Sequence, residues 1–178
     1  MNIMYIHGFG SKWKPDSEKV KALGHLGNVS GTTVSYDSPF SSLFKTYKTF
    51  ILDNDIELIA GTSLGGFWAG YLGDELGVPF VAINPVINPA QTLKKYEGHG
   101  IDYYGNPYHV NSQVINSYPS FPHKGAGLIL LDMGDTLLDA KQTHNALDPY
   151  FAVHTFQGGS HRFDHIQESI PAIRKLMM

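Results

Sequence analysis

The sequence predicts an α/β fold, in which a mostly parallel six-stranded sheet carries helices on both faces in a three-layer αβα sandwich. Three observations predict it. The chain has 178 residues, which suits one domain spanning residues 1–178. Short apolar runs alternate with helical patterns, as in parallel sheets covered on both sides. A Gly-x-Ser-x-Gly pattern stands where one apolar run gives way to a helix.

The six predicted strands are mostly apolar throughout, which is typical of strands buried on both faces. They are Ile3–Ile6, Thr33–Tyr36, Ile56–Ala60, Phe80–Ile83, Leu128–Leu131 and Phe151–Phe156. Helices are predicted where apolar residues recur at spacings of three and four. They cover Val20–Leu26, Leu43–Ile51, Gly66–Leu76, Ala140–Leu147 and Phe163–Met177. Because proline lacks an N–H group, Pro171 should kink or restart the last helix.

The segment 85–124 departs from this alternation because it is rich in Tyr, Asn, Gly and Pro. A loop of this length is usually functional or disordered, and its aromatic content argues against a linker. We expect an excursion over the C-terminal edge of the sheet, near the active site, but no large lid domain. The alternative is an Ω-loop that only covers the core.

The composition excludes several classes of function. The chain is 42% apolar and 16% charged, with a formal net charge of −3, so it lacks the basic surface of a protein that binds nucleic acid or anionic membranes. No cysteine is present, which excludes disulfides and thiolate catalysis. The N-terminal stretch is broken by glycine too early for a signal peptide, and no apolar run approaches the ~20 residues of a membrane span. We therefore expect a soluble, cytoplasmic protein.

The Gly-x-Ser-x-Gly pattern is Gly61-Thr62-Ser63-Leu64-Gly65. Alone it is a weak signal, but a predicted strand precedes it and a predicted helix follows it, as the sharp turn around a nucleophilic serine requires. Gly61 and Gly65 lack Cβ atoms, so strand and helix can approach closely beside a strained serine. Ser63 is therefore the predicted nucleophile. The alternative is a serine that only caps the helix.

A serine hydroxyl needs a base to take its proton. His161 lies in a glycine-rich loop just after the last predicted strand, where such a base is expected, whereas His154 falls within that strand and is interpreted as a packed or edge histidine. His165 follows four residues after His161, so a His-x3-His zinc pair is an alternative, although no glutamate completes the zincin pattern. We expect no metal and no organic cofactor.

The base in turn needs an acid that fixes its tautomer. Asp132, Asp135 and Asp139 follow the fifth predicted strand. Asp135 is preferred because it lies in the loop between strand and helix, with Asp139 as the reserve and helix capping as its ordinary role. The chain order Ser63, Asp135, His161 is the one expected of an α/β-hydrolase.

Two backbone N–H groups are expected to form the oxyanion hole. One belongs to Leu64, the residue after the nucleophile, and the other to Phe9 in the loop after the first strand, with Gly10 as an alternative. His7 is interpreted as a brace for this loop rather than as a second base.

Five motifs, "YIHGFGS", "GTSLGGFWAGYL", "VAINPVINP", "MGDTLLD" and "GGSHRF", occur in the order found in the α/β-hydrolase superfamily. Together they resemble the YqiA-like esterases over nearly the whole chain. The resemblance implies a compact α/β domain that hydrolyses carboxylic esters, including fatty-acyl esters or thioesters, through Ser63, Asp135 and His161. One departure is Asn88-Pro89, which stands where family members tend to have Arg-Pro.

The sequence therefore predicts a serine hydrolase that cleaves small-molecule acyl esters, or thioesters, through an acyl-enzyme. Aromatic residues of the excursion and of the site should form an apolar acyl pocket, namely Phe9, Phe67, Tyr103, Tyr104 and Tyr108. Alternatives are a catalytically silent binding protein with the same fold, or an amidase or acyltransferase using the same three residues. The sequence does not indicate an oligomeric state.

Overall fold

The computed structural model describes residues 1–178 and contains eight strands and seven helices. The strands are β1 (Asn2–Ile6), β2 (Asn28–Ser30), β3 (Leu58–Thr62), β4 (Phe80–Ile83), β5 (Gly98–Ile101), β6 (Pro107–Val110), β7 (Gly127–Asp132) and β8 (Ala152–Phe156). The helices are α1 (Glu18–Leu23), α2 (Phe40–Asp53), α3 (Leu64–Leu76), α4 (Pro89–Leu93), α5 (Ser112–Asn116), α6 (Ala140–Leu147) and α7 (Ile166–Leu176). None of these helices combines the length and the apolarity needed to cross a membrane.

Six strands form one sheet in the order β2-β1-β3-β4-β7-β8, and every neighbouring pair is parallel. The strands β5 and β6 form a separate antiparallel hairpin. The predicted parallel six-stranded sheet is thus confirmed. Because all carboxyl ends of the parallel strands meet at one edge, the loops after β1, β3, β7 and β8 can converge there.

The core consists of two apolar clusters, one on each face of the sheet, because successive strand residues point to opposite sides. In β3, Ile59 belongs to one cluster while Leu58 and Ala60 belong to the other. Helices α2 and α3 cover the first face, and α1 and α7 cover the second. Burying one large apolar side chain stabilises the fold by about 1.5–3 kcal/mol. The many buried side chains of the two clusters therefore hold the strands whose ends carry the site.

The predicted second strand, Thr33–Tyr36, is wrong. The edge strand β2 is Asn28–Ser30, and residues 33–36 form a loop beyond the end of the sheet. Their polar groups bond to His7 instead of to a strand ladder, since Val34 N–H donates to His7 Nε2 (3.1 Å) and the Tyr36 hydroxyl donates to the His7 carbonyl (2.6 Å). As an edge strand, β2 needs no long apolar run and so gave no signal.

Helix α7 also differs from its prediction. It begins at Ile166, because Phe163 has a positive φ of 63° and cannot be helical. It then continues through Pro171 as one helix and does not restart there. Because Pro171 has no backbone N–H, the carbonyl one turn earlier in the helix has no donor at this position.

The excursion 85–124 contains regular structure, with α4, a 3₁₀ turn, the β5–β6 hairpin and α5, and is not an Ω-loop. Its hairpin region packs over the loop that follows β1. The Phe9 ring stacks on Tyr96 with centroids 4.4 Å apart and meets Tyr108 edge-on at 5.1 Å. Tyr103 N–H donates to the Gly10 carbonyl (3.2 Å). The excursion therefore contacts the loop to which the Phe9 N–H belongs.

Candidate active site

Ser63 occupies the turn between β3 and α3 with φ 59° and ψ −121°. A residue other than glycine held in such a conformation costs about 1–3 kcal/mol. The two flanking glycines permit the turn, because a Cβ on Gly61 would collide with the Gly65 carbonyl and one on Gly65 would collide with the Ile6 carbonyl. The close approach predicted for strand and helix is confirmed at these positions.

Neighbouring backbone groups hold the Ser63 turn in place. Ser63 N–H donates to the Ile83 carbonyl (3.0 Å), and the Ser63 carbonyl accepts from Val86 N–H (3.1 Å) and Phe67 N–H (3.1 Å). Its side chain makes no capping hydrogen bond to the helix, so the helix-capping alternative is wrong. The hydroxyl is left for another partner.

That partner is His161, whose Nε2 lies 3.0 Å from Ser63 Oγ, while its Nδ1 lies 2.7 Å from Asp135 Oδ2. The structure thus brings the three predicted residues together in one hydrogen-bonded chain. The carboxylate can only accept, so Nδ1 carries a proton and Nε2 of the neutral ring is free to accept from the serine hydroxyl.

Asp135 is held as an ionised acceptor. Its Oδ1 accepts from Leu137 N–H (2.8 Å) and Leu138 N–H (3.0 Å). Burial alone would raise the pKa of Asp135, but the hydrogen bonds from His161 and from these backbone groups outweigh it, and the pKa lies below its ordinary value. The carboxylate therefore stays charged and holds the imidazole by its Nδ1.

The other two aspartates have different partners. Asp139 Oδ1 accepts from Gln142 N–H (2.9 Å) as the N-cap of α6, which is the ordinary role expected for it. Asp132 is fully buried and accepts from His165 Nδ1 (2.6 Å). Neither carboxylate contacts His161, so Asp135 is the acid that the geometry favours.

The histidines after β8 do not form a zinc pair. Residues 161–164 precede α7, so His161 and His165 do not share a helical face, and each donates to a different aspartate. No group of three or more His, Cys, Asp or Glu residues is arranged to hold a metal ion. His154 is exposed on the edge strand β8, as its interpretation as an edge histidine requires.

One predicted oxyanion donor directly follows Ser63, and the other lies in the loop after β1, which contacts Ser63 through Gly8. Leu64 is the first residue of α3, so its N–H has no acceptor within the helix, and the positive end of the helix dipole lies at the same place. Phe9 N–H makes no hydrogen bond within the protein. Its neighbour Gly8 packs against Ser63, because a Cβ there would lie 3.4 Å from the serine Cβ. Both N–H groups are free to bind an anion.

His7 braces the loop that precedes Phe9. Its Nδ1 donates to the Gly8 carbonyl (2.8 Å), and its Nε2 accepts from Val34 N–H. The neutral imidazole satisfies both of these hydrogen bonds, one as donor and one as acceptor. Burial lowers the pKa of His7, which favours this neutral form. This geometry favours the brace over a second base.

Of the five predicted acyl-pocket residues, Phe9, Tyr103 and Tyr108 share a cavity, whereas Phe67 and Tyr104 do not line it. Phe67 is fully buried among core rings such as Trp68 and Tyr118, so it does not line an open pocket, because α3 turns it toward the core. Tyr103 is 81% exposed, and Tyr104 is exposed with Lys12 Nζ 4.2 Å above its ring. Their substrate-binding role stays a prediction.

Phe9 and Tyr108 line a cavity of about 370 Å³ between the loop after β1, residues 33–37 and the hairpin. Its walls include the polar side chains of Lys12, Ser35 and Asp37. A smaller cavity of about 110 Å³ is mostly aromatic and is lined by Phe9 and Tyr108 together with Tyr103. Ser63 lines neither cavity.

The comparison with protein families decides the family to which this chain belongs. A family model described as "Uncharacterised protein family (UPF0227)" matches residues 2–178. The chain belongs to the UPF0227 family. A UPF0227 protein from Vibrio atlanticus is 25% identical over 178 residues, covering 97% of both chains. The resemblance to the YqiA-like proteins of this family is thus confirmed.

Solved structures with the same fold belong to the α/β-hydrolases. Est1E from Butyrivibrio proteoclasticus superposes with a TM-score of 0.74 at 14% identity, covering 99% of this chain and 86% of that one. A protein from Xanthomonas campestris assigned to the α/β hydrolase superfamily gives a TM-score of 0.67 at 17% identity, with 99% and 96% covered. At these identities the likeness shows the fold, which is the predicted α/β-hydrolase fold.

One residue near the site belongs to a motif that carries the family resemblance but received no role from the sequence. Asn84 stands directly after β4. Its side chain bonds to the loop at residues 157–165 between β8 and α7, called here the His161 loop. The available signal was the Asn-Pro pair that ends a fully apolar run, since a buried polar residue at a strand end needs partners.

Proposed function

We propose that this UPF0227 protein is a serine hydrolase that cleaves carboxylic esters, with Ser63 as nucleophile, His161 as base and Asp135 as the acid that orients it. The observation that carries the proposal is the continuous chain from Asp135 Oδ2 to His161 Nδ1 (2.7 Å) and from His161 Nε2 to Ser63 Oγ (3.0 Å). Both distances lie within the reach required for proton transfer.

In the first half of the reaction, Ser63 Oγ forms a bond to the ester carbonyl carbon while His161 Nε2 takes the hydroxyl proton. Asp135 stabilises the imidazolium that results. The carbonyl oxygen becomes an oxyanion, which the N–H groups of Leu64 and Phe9 bind. Removing one such donor typically costs about 3–4 kcal/mol of transition-state stabilisation.

The intermediate then collapses. The bond to the alcohol breaks, and the alcohol leaves with the proton from His161. Water attacks the acyl-enzyme with His161 again as base, which releases the carboxylic acid and restores Ser63. The chemistry needs no metal and no organic cofactor. A thioester reacts by the same steps, with a thiol as the leaving group.

An ester is the substrate class that the YqiA-like resemblance implies. The small-molecule class also fits cavities of about 370 Å³ and 110 Å³ beside Phe9. The strained turn at Ser63 further supports an enzyme over a silent binding protein, since such strain is usually retained where it positions a reacting group.

The first experiment is labelling with a fluorophosphonate, followed by assays with p-nitrophenyl esters of graded acyl length and with acyl-CoA thioesters. We expect the wild-type protein to be labelled and to hydrolyse activated esters, and Ser63→Ala to do neither. Ser42→Ala is the matched control, because Ser42 is exposed on α2. Labelling that persists in Ser63→Ala, or a wild-type protein inert toward every activated ester and thioester, would contradict the proposal.

A further inference from the structure

Asn84 belongs to one of the motifs that carry the family resemblance, yet the proposed chemistry assigns it no role. It is buried, with 2% of its surface exposed, and has a positive φ of 40°. Among non-glycine residues, Asn is one of those that tolerate this region best. Its backbone N–H donates to the Leu130 carbonyl (2.8 Å), so its position is fixed against β7.

The Asn84 side chain uses both its donor and its acceptor. Nδ2 donates to the Ser160 carbonyl (2.9 Å) and to the His161 carbonyl (3.2 Å), and Oδ1 accepts from Asp132 N–H (2.9 Å). Two donor hydrogens and an acceptor are what a carboxamide offers. An aspartate of the same shape would place an acceptor oxygen against two carbonyl oxygens.

The turn at residues 83–86, to which Asn84 belongs, also holds the proposed nucleophile Ser63. Ser63 N–H donates to the Ile83 carbonyl, and Val86 N–H donates to the Ser63 carbonyl. Residues 83–86 therefore contact Ser63 through backbone groups and the His161 loop through the Asn84 side chain. The turn is a direct structural link between the serine and the histidine.

A second anchor holds the other half of the His161 loop. The buried Asp132 carboxylate accepts from Ser160 N–H (3.1 Å), Asp164 N–H (2.7 Å) and His165 Nδ1 (2.6 Å). The His165 ring stacks on Phe156 with centroids 5.1 Å apart and planes at 11°. His165 thus supplies one of three donors to a carboxylate that is removed from water.

The other contacts of the loop lie toward its two ends, where Gly134 N–H donates to the Gly158 carbonyl (2.7 Å) and the Phe163 ring is buried in the core. Gln157, Gly158 and Gly159 are exposed, as is Arg162. Exposed backbone with few buried contacts opens at low free energy. The hydrogen bonds of Asn84 and Asp132 hold the stretch between these ends, which contains Ser160 and His161.

We propose that Asn84 and His165 are positioning residues for His161. Together they fix the His161 loop relative to the turn that carries Ser63. Asn84 donates to the carbonyls of Ser160 and His161, and His165 donates to the Asp132 carboxylate, which also binds the Ser160 and Asp164 N–H groups. This inference rests on the proposed function, because it assigns the two residues through the base of that reaction.

The expected effect follows from geometry. A misplacement of about 1 Å between reacting groups can lower a rate about 10²-fold. Neither Asn84 nor His165 lines either cavity, so substrate binding should be unchanged. Loss of positioning should therefore lower kcat while KM stays constant.

The experiment compares kcat and KM of Asn84→Ala, Asn84→Asp and His165→Ala on a p-nitrophenyl ester. We expect kcat to fall about 10- to 100-fold in Asn84→Ala, further in Asn84→Asp, and about 10-fold in His165→Ala, with KM within about twofold of wild type. His154→Ala is the matched control, because His154 is exposed on β8 and should leave both constants unchanged.

His165→Asn separates positioning from general packing. An Asn side chain can donate to Asp132 from about the place of the imidazole Nδ1 but lacks the ring that stacks on Phe156, so we expect it to restore most of kcat. A second readout without substrate is the proton NMR signal of His161 Nδ1–H, which should weaken or shift in Asn84→Ala and not in His154→Ala.

The outcomes separate this inference from the proposed function. Wild-type kcat in both Asn84→Ala and His165→Ala, a change in KM alone, or His165→Asn as poor as His165→Ala would overturn the inference while leaving a working esterase. An inert wild-type protein would instead overturn the function. If Asn84→Ala does not fold, the pair His165→Ala and His165→Asn decides.

Discussion

The protein contains two Asp–His pairs side by side at the carboxyl ends of β7 and β8. Asp135 pairs with His161 at 2.7 Å, and Asp132 pairs with His165 at 2.6 Å. Both histidine side chains are 21% exposed, and the carboxylates are 2% and 0% exposed. By distance and burial the pairs are almost the same.

They differ in what the second ring nitrogen meets. His161 Nε2 faces Ser63 Oγ, whereas His165 Nε2 makes no hydrogen bond to the protein. The two carboxylates also have different backbone donors. Asp135 accepts from Leu137 and Leu138 N–H in its own turn, whereas Asp132 accepts from N–H groups of the His161 loop. An Asp–His pair is therefore not itself a sign of catalysis, and the third partner decides its role.

Exchanging each aspartate for asparagine tests this comparison most strongly. In serine proteases the equivalent of Asp135→Asn lowers kcat about 10⁴-fold by favouring the wrong imidazole tautomer, and we expect a similar loss here with little change in stability. Asp132→Asn leaves at least one donor unsatisfied and should cost about 1–3 kcal/mol of unfolding free energy, with a much smaller loss of kcat. Urea unfolding and ester kinetics on the same samples measure both.

Asp139→Asn is the control for this pair, since asparagine caps a helix about as well as aspartate and both activity and stability should stay at wild-type values. A loss of kcat in Asp139→Asn, with Asp135→Asn mild, would transfer the role of the acid to Asp139.

Two adjacent glycines offer an intermediate test. Gly158 and Gly159 have φ angles of 71° and 70°, so alanine is strained at either position. Only at Gly159 would a Cβ collide with the Asp132 carboxylate, whereas the space at Gly158 is open. We expect Gly158→Ala to cost about 1 kcal/mol of stability with modest change in kcat, and Gly159→Ala to lower kcat at least about 10-fold more by moving the loop. Equal kcat values in the two variants would show that the Asp132 contact does not position His161.

The smallest expected effect is a pH dependence that belongs to the second pair. The hydrogen bond to Asp132 raises the pKa of His165, and the charges of Asp132, Glu168 and Asp164 act in the same direction, against a smaller effect of burial. A raised pKa means that protonated His165 stabilises the folded state below its ordinary pKa of about 6.5, and that this contribution is lost as the pH rises through the folded-state value.

Urea unfolding of wild type and His165→Ala between about pH 5.5 and about pH 9 measures this dependence. The difference in unfolding free energy should be largest at the acid end and shrink toward the alkaline end. A difference that is constant with pH, or that grows as the pH rises, would contradict the assignment.

The parts of the fold that the sequence predicts best are those buried on both faces. Strands such as Phe80–Ile83 are apolar without interruption, and the structure gives β4 those same bounds. Edge strand β2 and hairpin β5–β6 bury little and carry polar residues, so their patterns do not differ from those of loops. Thr33–Tyr36 alternates like a strand, but its polar groups bond to His7, a partner that no local pattern reveals.

The same reasoning explains the site. The proximity of Ser63, Asp135 and His161 was predictable because each follows a recognisable strand, and parallel strands bring their carboxyl ends together. Asn84 was not, since its partners Ser160 and His161 lie more than seventy positions away along the chain. Phe67 was assigned to a pocket because core and pocket both favour aromatic rings, and only burial separates the two.

The excursion 85–124 enters the chain between β4 and β7, which pair directly with each other in the sheet. The segment can therefore be exchanged for another that supplies equivalent core side chains without altering the register of any sheet strand. Because its tyrosines pack on Phe9, such an exchange would reshape the surroundings of the Phe9 N–H group, while the hydrogen bond from Val86 N–H to the Ser63 carbonyl would have to be kept for the serine to stay in place. In the proposed hydrolase, substrate choice would then be set by a segment that supplies none of the three reacting residues.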